Sequence, residues 1–170
     1  MSAGLRKFVL ATHLTLSIGW IGAVAAYIAL DVAAATSQDG VALRAAYLAM
    51  GLIVAYVIVP LAVAALLTGL VVSLGTKWGL FRHWWVLISF LLTLFATAVL
   101  LIETRTISAY AAMAADPTTT SADLHPLGGT LLHSVGGLLV LLVIAWLNVY
   151  KPRGLTRYGW RKLQEERRAA

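Results

Sequence analysis

Hydrophobic positions in this chain do not alternate with polar ones; they come in unbroken blocks. Phe8–Leu30, Ala45–Thr76, His83–Ile102 and Pro126–Tyr150 each run for 20 or more residues without an Asp, Glu, Lys or Arg. An α-helix rises about 1.5 Å per residue, so about 20 apolar residues cross the hydrocarbon core of a bilayer. Four such blocks predict an all-α, four-helix transmembrane bundle. Its helices are expected over about residues 5–35, 43–75, 84–115 and 127–150. Residues 1–154 then form one membrane domain, and 155–170 a basic cytoplasmic tail or interfacial helix. Arg6 and Lys7 precede the first block as they would in a signal peptide. Its 23 residues exceed the roughly 7–15 of a signal core, so a retained helix is expected.

Inside the blocks the polar residues keep helical register. His13, Ser17, Trp20, Tyr27 and Asp31 share one face of the first helix, and a face of in-phase polar groups belongs inside a bundle. A second strip, Thr12, Thr15, Gly19, Ala23 and Ala26, is small enough for close helix contact. Pro60 interrupts the second block. It removes a donor and crowds the carbonyl of Tyr56, which predicts a kink.

Charge then orients the bundle. If the blocks alternate in direction, 11 of the 13 Lys and Arg residues fall on one side, in the N-terminus, the 76–82 connection and the C-terminal tail. Only Arg44 and Arg105 fall on the other side. This positive-inside bias predicts up-down-up-down passage with both termini cytoplasmic (N-in/C-in) in a bacterial inner membrane. The natural partner of those cations is an inner leaflet with anionic lipids, and no nucleic acid is expected. Trp78, Trp84, Trp85, Trp146 and Tyr150 cluster at the same predicted boundary, where amphipathic rings anchor.

Composition limits the chemistry. Cys is absent, which excludes disulfides, iron–sulfur ligation and covalent haem attachment. There is no nucleophile–base–orienter set and no phosphate loop, so the chain reads as cytochrome-like rather than as a defined catalyst. What remains are His13, His83, His125 and His133 with the carboxylates Asp31 and Glu103. A His pair is the usual haem b ligation in membranes, whereas His with carboxylate suits copper or zinc. His133 stands between Gly129 and Gly136–Gly137 on its helix, and glycines admit a flat cofactor edge as readily as another backbone.

With Lys7, Arg82 and Lys151 as inner markers, His13 lies about 9 Å deep and His133 about 27 Å, roughly 18 Å apart in height. Two clusters are therefore expected: His13 with His83, closed by Trp20 and Ser73, and His133 with Glu103, Asp31 and His125. Each residue also has a plain structural reading. His13 and His133 would bond a neighbouring helix, His83 would sit at the interface, Glu103 would pair with Arg105, and Asp31 would mark the exit of the first helix.

Two stretches, Leu67–Val86 and His133–Val140 running on to Tyr150–Gly159, resemble a family of small bacterial integral membrane proteins of about four helices and unknown function. The resemblance implies the fold and carries no activity. His13-x6-Trp20-x-Gly22 is similar to the first-helix pattern of CopD-like proteins and HemJ-type protoporphyrinogen oxidases. In the latter a first-helix histidine is associated with haem, which on this resemblance falls on His13.

The leading expectation is haem b held by His13, His83 and His133, with Trp20, Gly129, Gly136 and Gly137 around it, serving electron transfer or redox sensing with a redox partner or as a homo-oligomer. The first alternative is a copper or zinc site or carrier at the outer face, drawing on His133, Glu103, His125 and Asp31. The second is a structural or accessory subunit, or a small transporter, without a cofactor.

Overall fold

Four helices dominate the computed structural model, which describes every residue except Lys77, His125, Pro126, Gly128, Gly129 and Ala170. They are α1 (Ala3–Thr36), α2 (Gly40–Gly75), α3 (Trp84–Ala115) and α4 (Leu131–Tyr150), each long and apolar enough to cross a membrane. A fifth, α5 (Arg157–Ala169), occupies the tail, and Ser121–Leu124 forms a single turn. No strand occurs among the described residues. One isolated antiparallel bridge links His83 and Leu155.

The ends of the helices follow local chemistry. Ser2 caps α1 by accepting from the Leu5 N–H at 3.4 Å. Asp39 caps α2 by accepting from the Val41 N–H at 3.0 Å, which starts that helix three residues before the expected Leu43. Helix α4 begins at Leu131 rather than near Leu127, while Gly128 and Gly129 lie outside the described residues. The expected disturbance at Pro60 takes the form of a π turn over Val54–Ile58, in which the Val59 N–H reaches back to the Val54 carbonyl. A wide turn just ahead of the proline absorbs the missing donor.

Each spanning helix packs on two others: α1 on α2 and α4, and α3 on α2 and α4. Small residues set the close approaches. Leu61 lies on Gly19, the His13 ring lies on Gly69, and a Cβ at Gly51 would stand 2.6 Å from that of Ala111. The polar stripe of α1 faces inward as expected, with Trp20, Tyr27 and Asp31 all buried. The small-residue strip is only partly used, because Thr15 and Ala26 are exposed. Helix α4 is the least embedded; Leu141 is its only buried residue among those described.

At one end Arg44 closes α3, donating to the carbonyls of Ala114, Asp116 (2.8 Å) and Thr119 (2.6 Å). Beside it the Thr118 hydroxyl and N–H bond the Asp116 carboxylate and hold its pKa below the usual range. At the other end the tail docks on the 78–84 connection. The Thr156 hydroxyl donates to the Phe81 carbonyl at 2.5 Å, and its N–H donates to the Arg82 carbonyl at 3.1 Å. The same hydroxyl accepts from the Gly159 N–H at 3.0 Å, opening α5. Only glycine fits at 159, where a Cβ would run into the Arg82 carbonyl. Arg82 then grips Glu166 through two bonds of 2.9 and 2.7 Å. Trp84, Trp146 and Tyr150 are exposed around this end, suited to a lipid interface.

Two outcomes follow from this packing. Gly51→Leu should lower the melting temperature in detergent by several degrees, because α2 and α3 must separate, a cost of about 1–3 kcal/mol. Gly22→Ala, where nothing lies within 4 Å, should leave the melt in place. Equal melts for both would show that Gly51 is not a close-packing position. The bond to Arg82 holds the Glu166 pKa below its ordinary value, so the pair's contribution is complete above about pH 4.3 and is lost as the pH falls through the lowered value. A spin label at Gln164 should gain mobility over that acidic window in the native chain. In Glu166→Gln it should be mobile at neutral pH already; identical mobility in the two proteins would rule out the pair as an anchor.

Candidate functional site

The polar residues of α1 meet α4 through a directed chain of hydrogen bonds. The Tyr27 hydroxyl donates to the Thr130 hydroxyl at 3.2 Å, which donates to an Asp31 carboxylate oxygen at 2.8 Å. Thr130 has one hydroxyl proton; given to Asp31, it leaves the oxygen free to accept from Tyr27. The Ser134 hydroxyl lies 3.2 Å from the same Asp31 oxygen and 3.1 Å from the Leu131 carbonyl, two acceptors that share its one proton. Asp31 is 3% exposed and stands five residues before the end of α1. It is thus a buried acceptor joining two helices and not merely the helix exit.

Beside this chain lies a cavity of about 610 Å³, whose walls come from α1, α2, α3 and α4. Its body is apolar, with Trp20, Phe95 and Leu141 among the lining groups. Its polar end holds Glu103, His133, Thr130 and Ser134. His133 Nε2 stands 3.9 Å from Glu103 Oε1, an ion-pair distance too long for a hydrogen bond. Glu103 therefore faces His133 rather than making the expected pair with Arg105, which is exposed. Gly136 and Gly137 line the wall next to His133, and a Cβ at either would meet nothing within 4 Å.

The expected inner cluster is distributed otherwise. His13 Nδ1 lies 3.1 Å from the Thr68 hydroxyl, whose proton goes to the Ala64 carbonyl at 2.7 Å. His13 thus joins α1 to α2 across Gly69 through its Nδ1 and the Thr68 hydroxyl. His83 precedes α3, and its Nδ1–H donates to the Trp78 carbonyl at 2.6 Å. Its ring sits 5.2 Å from that of Trp78 and 6.5 Å from that of Trp85. Ser73 spends its hydroxyl on the Leu70 carbonyl. Trp20, expected to close the His13 group, lines the cavity with His133 instead.

The structure thus brings His133, Glu103, Trp20, Gly136 and Gly137 to one cavity with Asp31 behind it, and it leaves His13 and His83 with other partners. His125 and Gly129 lie outside the described residues. Among the described residues no group of three or more His, Asp or Glu side chains is placed to hold a metal ion. Sequence reasoning missed Thr130 and Ser134 as site residues and left Tyr27 as a stripe residue only. The signal was a pair of i,i+4 steps, Tyr27–Asp31 on one helix and Thr130–Ser134 on the other. Comparison with protein-family models, with curated proteins and with solved structures gives no match.

Replacing Thr130 by Val removes the shared hydroxyl, strands Tyr27 and leaves Asp31 with Ser134 as its remaining hydroxyl neighbour. A loss of about 1 kcal/mol is expected, read as a lower melting temperature in micelles. Thr130→Val combined with Asp31→Asn should cost less than the sum of the two single changes. Strict additivity would show that the chain does not act as one unit.

Proposed function

We propose that this is an integral membrane binding protein that takes up a lipid-soluble ligand from the bilayer, with His133 and Glu103 as the polar anchor. One observation carries this reading: an apolar cavity in a spanning bundle ends on two ionisable side chains whose only mutual contact is 3.9 Å long. His133 and Glu103 belong to spanning helices, close to the end away from the basic side, and ionisable groups in such helices are functional candidates. The helices run up-down-up-down with both termini on the basic, cytoplasmic side of a bacterial inner membrane. Support comes from Met1 meeting Gly75, Gly40 meeting Ser121, and the basic residues of the tail and the 78–84 connection lying together. Anionic head groups are the partners of that end.

Haem b is the alternative occupant, suggested by the open space that Gly136 and Gly137 leave on the wall that His133 shares. The residues fit in part. His133 offers one imidazole, while His13 is engaged with Thr68 and His83 with Trp78, so ligation through His133 alone replaces the expected His pair. A bound haem would supply one-electron chemistry for electron transfer or redox sensing. Copper or zinc finds two donors here, His133 and Glu103, and no third among the described residues.

The absorption spectrum of protein purified in mild detergent, with mass spectrometry of what copurifies, tests these readings. A Soret band that shifts on dithionite, disappears in His133→Ala and survives in His13→Ala supports haem. A colourless protein with one zinc or copper, lost in His133→Ala, supports the metal site. A copurified apolar molecule excluded by Gly136→Leu supports the cavity as a lipid-soluble ligand site. Clean protein with none of these overturns the binding reading in favour of an accessory role.

A further inference from the structure

We infer that the ligand of the cavity is an amphipathic organic cation, an aromatic ammonium or phosphonium in its chemistry. This inference rests on the binding role proposed above and names the class of molecule. Its ground is charge. Glu103 lines the cavity, and Asp31 lies behind Thr130 and Ser134 at its polar end. Among the described lining residues there is no Lys or Arg, and His133 is the only basic side chain.

The nearby cations are committed or turned away. Arg44 is spent on three carbonyls in and just past the last turn of α3, and Arg105 is exposed and outside the lining. One imidazole, 3.9 Å from the Glu103 carboxyl group, is thus the single basic side chain against two acids at this end, Glu103 in the lining and Asp31 behind Thr130 and Ser134. In a low-dielectric wall an opposite charge is attracted far more strongly than in water. An anionic ligand would add to the excess of acids, and a neutral one would leave one acid without a basic partner in the lining. The apolar body supplies the second half of the recognition. Trp20 and Phe95 line it, and aromatic rings favour both apolar groups and cations.

The test is calorimetric titration of the full chain in detergent micelles, against empty micelles, with three probes of like shape. These are tetraphenylphosphonium (cationic), tetraphenylborate (anionic) and tetraphenylmethane (neutral). Tetraphenylphosphonium should bind at least tenfold more tightly than either of the others. Glu103→Gln should weaken it about tenfold and leave the neutral probe unchanged, and Glu103→Asp should restore most of the affinity. If Glu103→Gln does not fold, Asp31→Asn should show the same selective loss to a smaller degree. Equal binding of all three probes, abolished by Gly136→Leu, would overturn the charge preference while leaving the cavity as a ligand site. Failure of every probe to bind would overturn both.

Discussion

In a bilayer, burying an apolar side chain against another helix gains little over leaving it in lipid, so close packing and polar pairing decide which helices associate. The fourth helix of this bundle shows the consequence. Leu141 is its only buried residue among those described, and its register against α1 is fixed by Thr130 and Ser134 converging on Asp31. Elsewhere the same constraint is met by small residues: Gly51 against Ala111, Gly69 against the His13 ring, Gly19 against Leu61. Around the buried cluster that includes Leu43, Met50, Val54 and Ala62, a few polar bonds and a few missing side chains set how the helices approach.

The cavity is a product of that arrangement. A helix drawn in by hydrogen bonds at one point need not be packed along its whole length, and Gly136 and Gly137 add no side chain to the cavity wall. Space is left beneath Trp20 and beside Phe95 that larger residues would have filled. The polar groups that anchor α4, Thr130 and Ser134, also line the polar end of the cavity, so its binding chemistry and its architecture share residues. The proposed preference for cations follows from the same economy, since Asp31 serves as an acceptor for hydroxyls and has no Lys, Arg or His partner among the described residues.

The opposite end is built on different terms. There the protein meets water and head groups, and hydrogen bonds to backbone carbonyls do the holding. Thr156 reads the Phe81 and Arg82 carbonyls, Gly159 lets α5 lie flush against them, and the Arg82–Glu166 pair closes the contact. A basic tail is thereby kept as an ordered helix at the bundle's end, with Tyr158 and Trp160 exposed on it.

The existence of four spanning helices was legible in the sequence, because length without charge is a one-dimensional property that the bilayer converts directly into a fold. The inward face of α1 was legible for the same kind of reason, since Trp20, Tyr27 and Asp31 keep helical phase. So was the disturbance at Pro60, a local steric fact. What the chain by itself could not assign was which histidine meets what. Heights along each helix separated His13 from His133, but not the rotation that turns His13 onto Thr68 and Trp20 into the cavity. Thr130 and Ser134 escaped notice because a hydroxyl in a membrane helix can always bond the carbonyl a turn back, as Thr93 and Thr97 do here. Only the crossing of α1 and α4 gave them Asp31 as a partner. Sequence fixes what each helix offers; tertiary structure decides what is offered to whom, because rotation and crossing are set by contacts hundreds of atoms away along the chain.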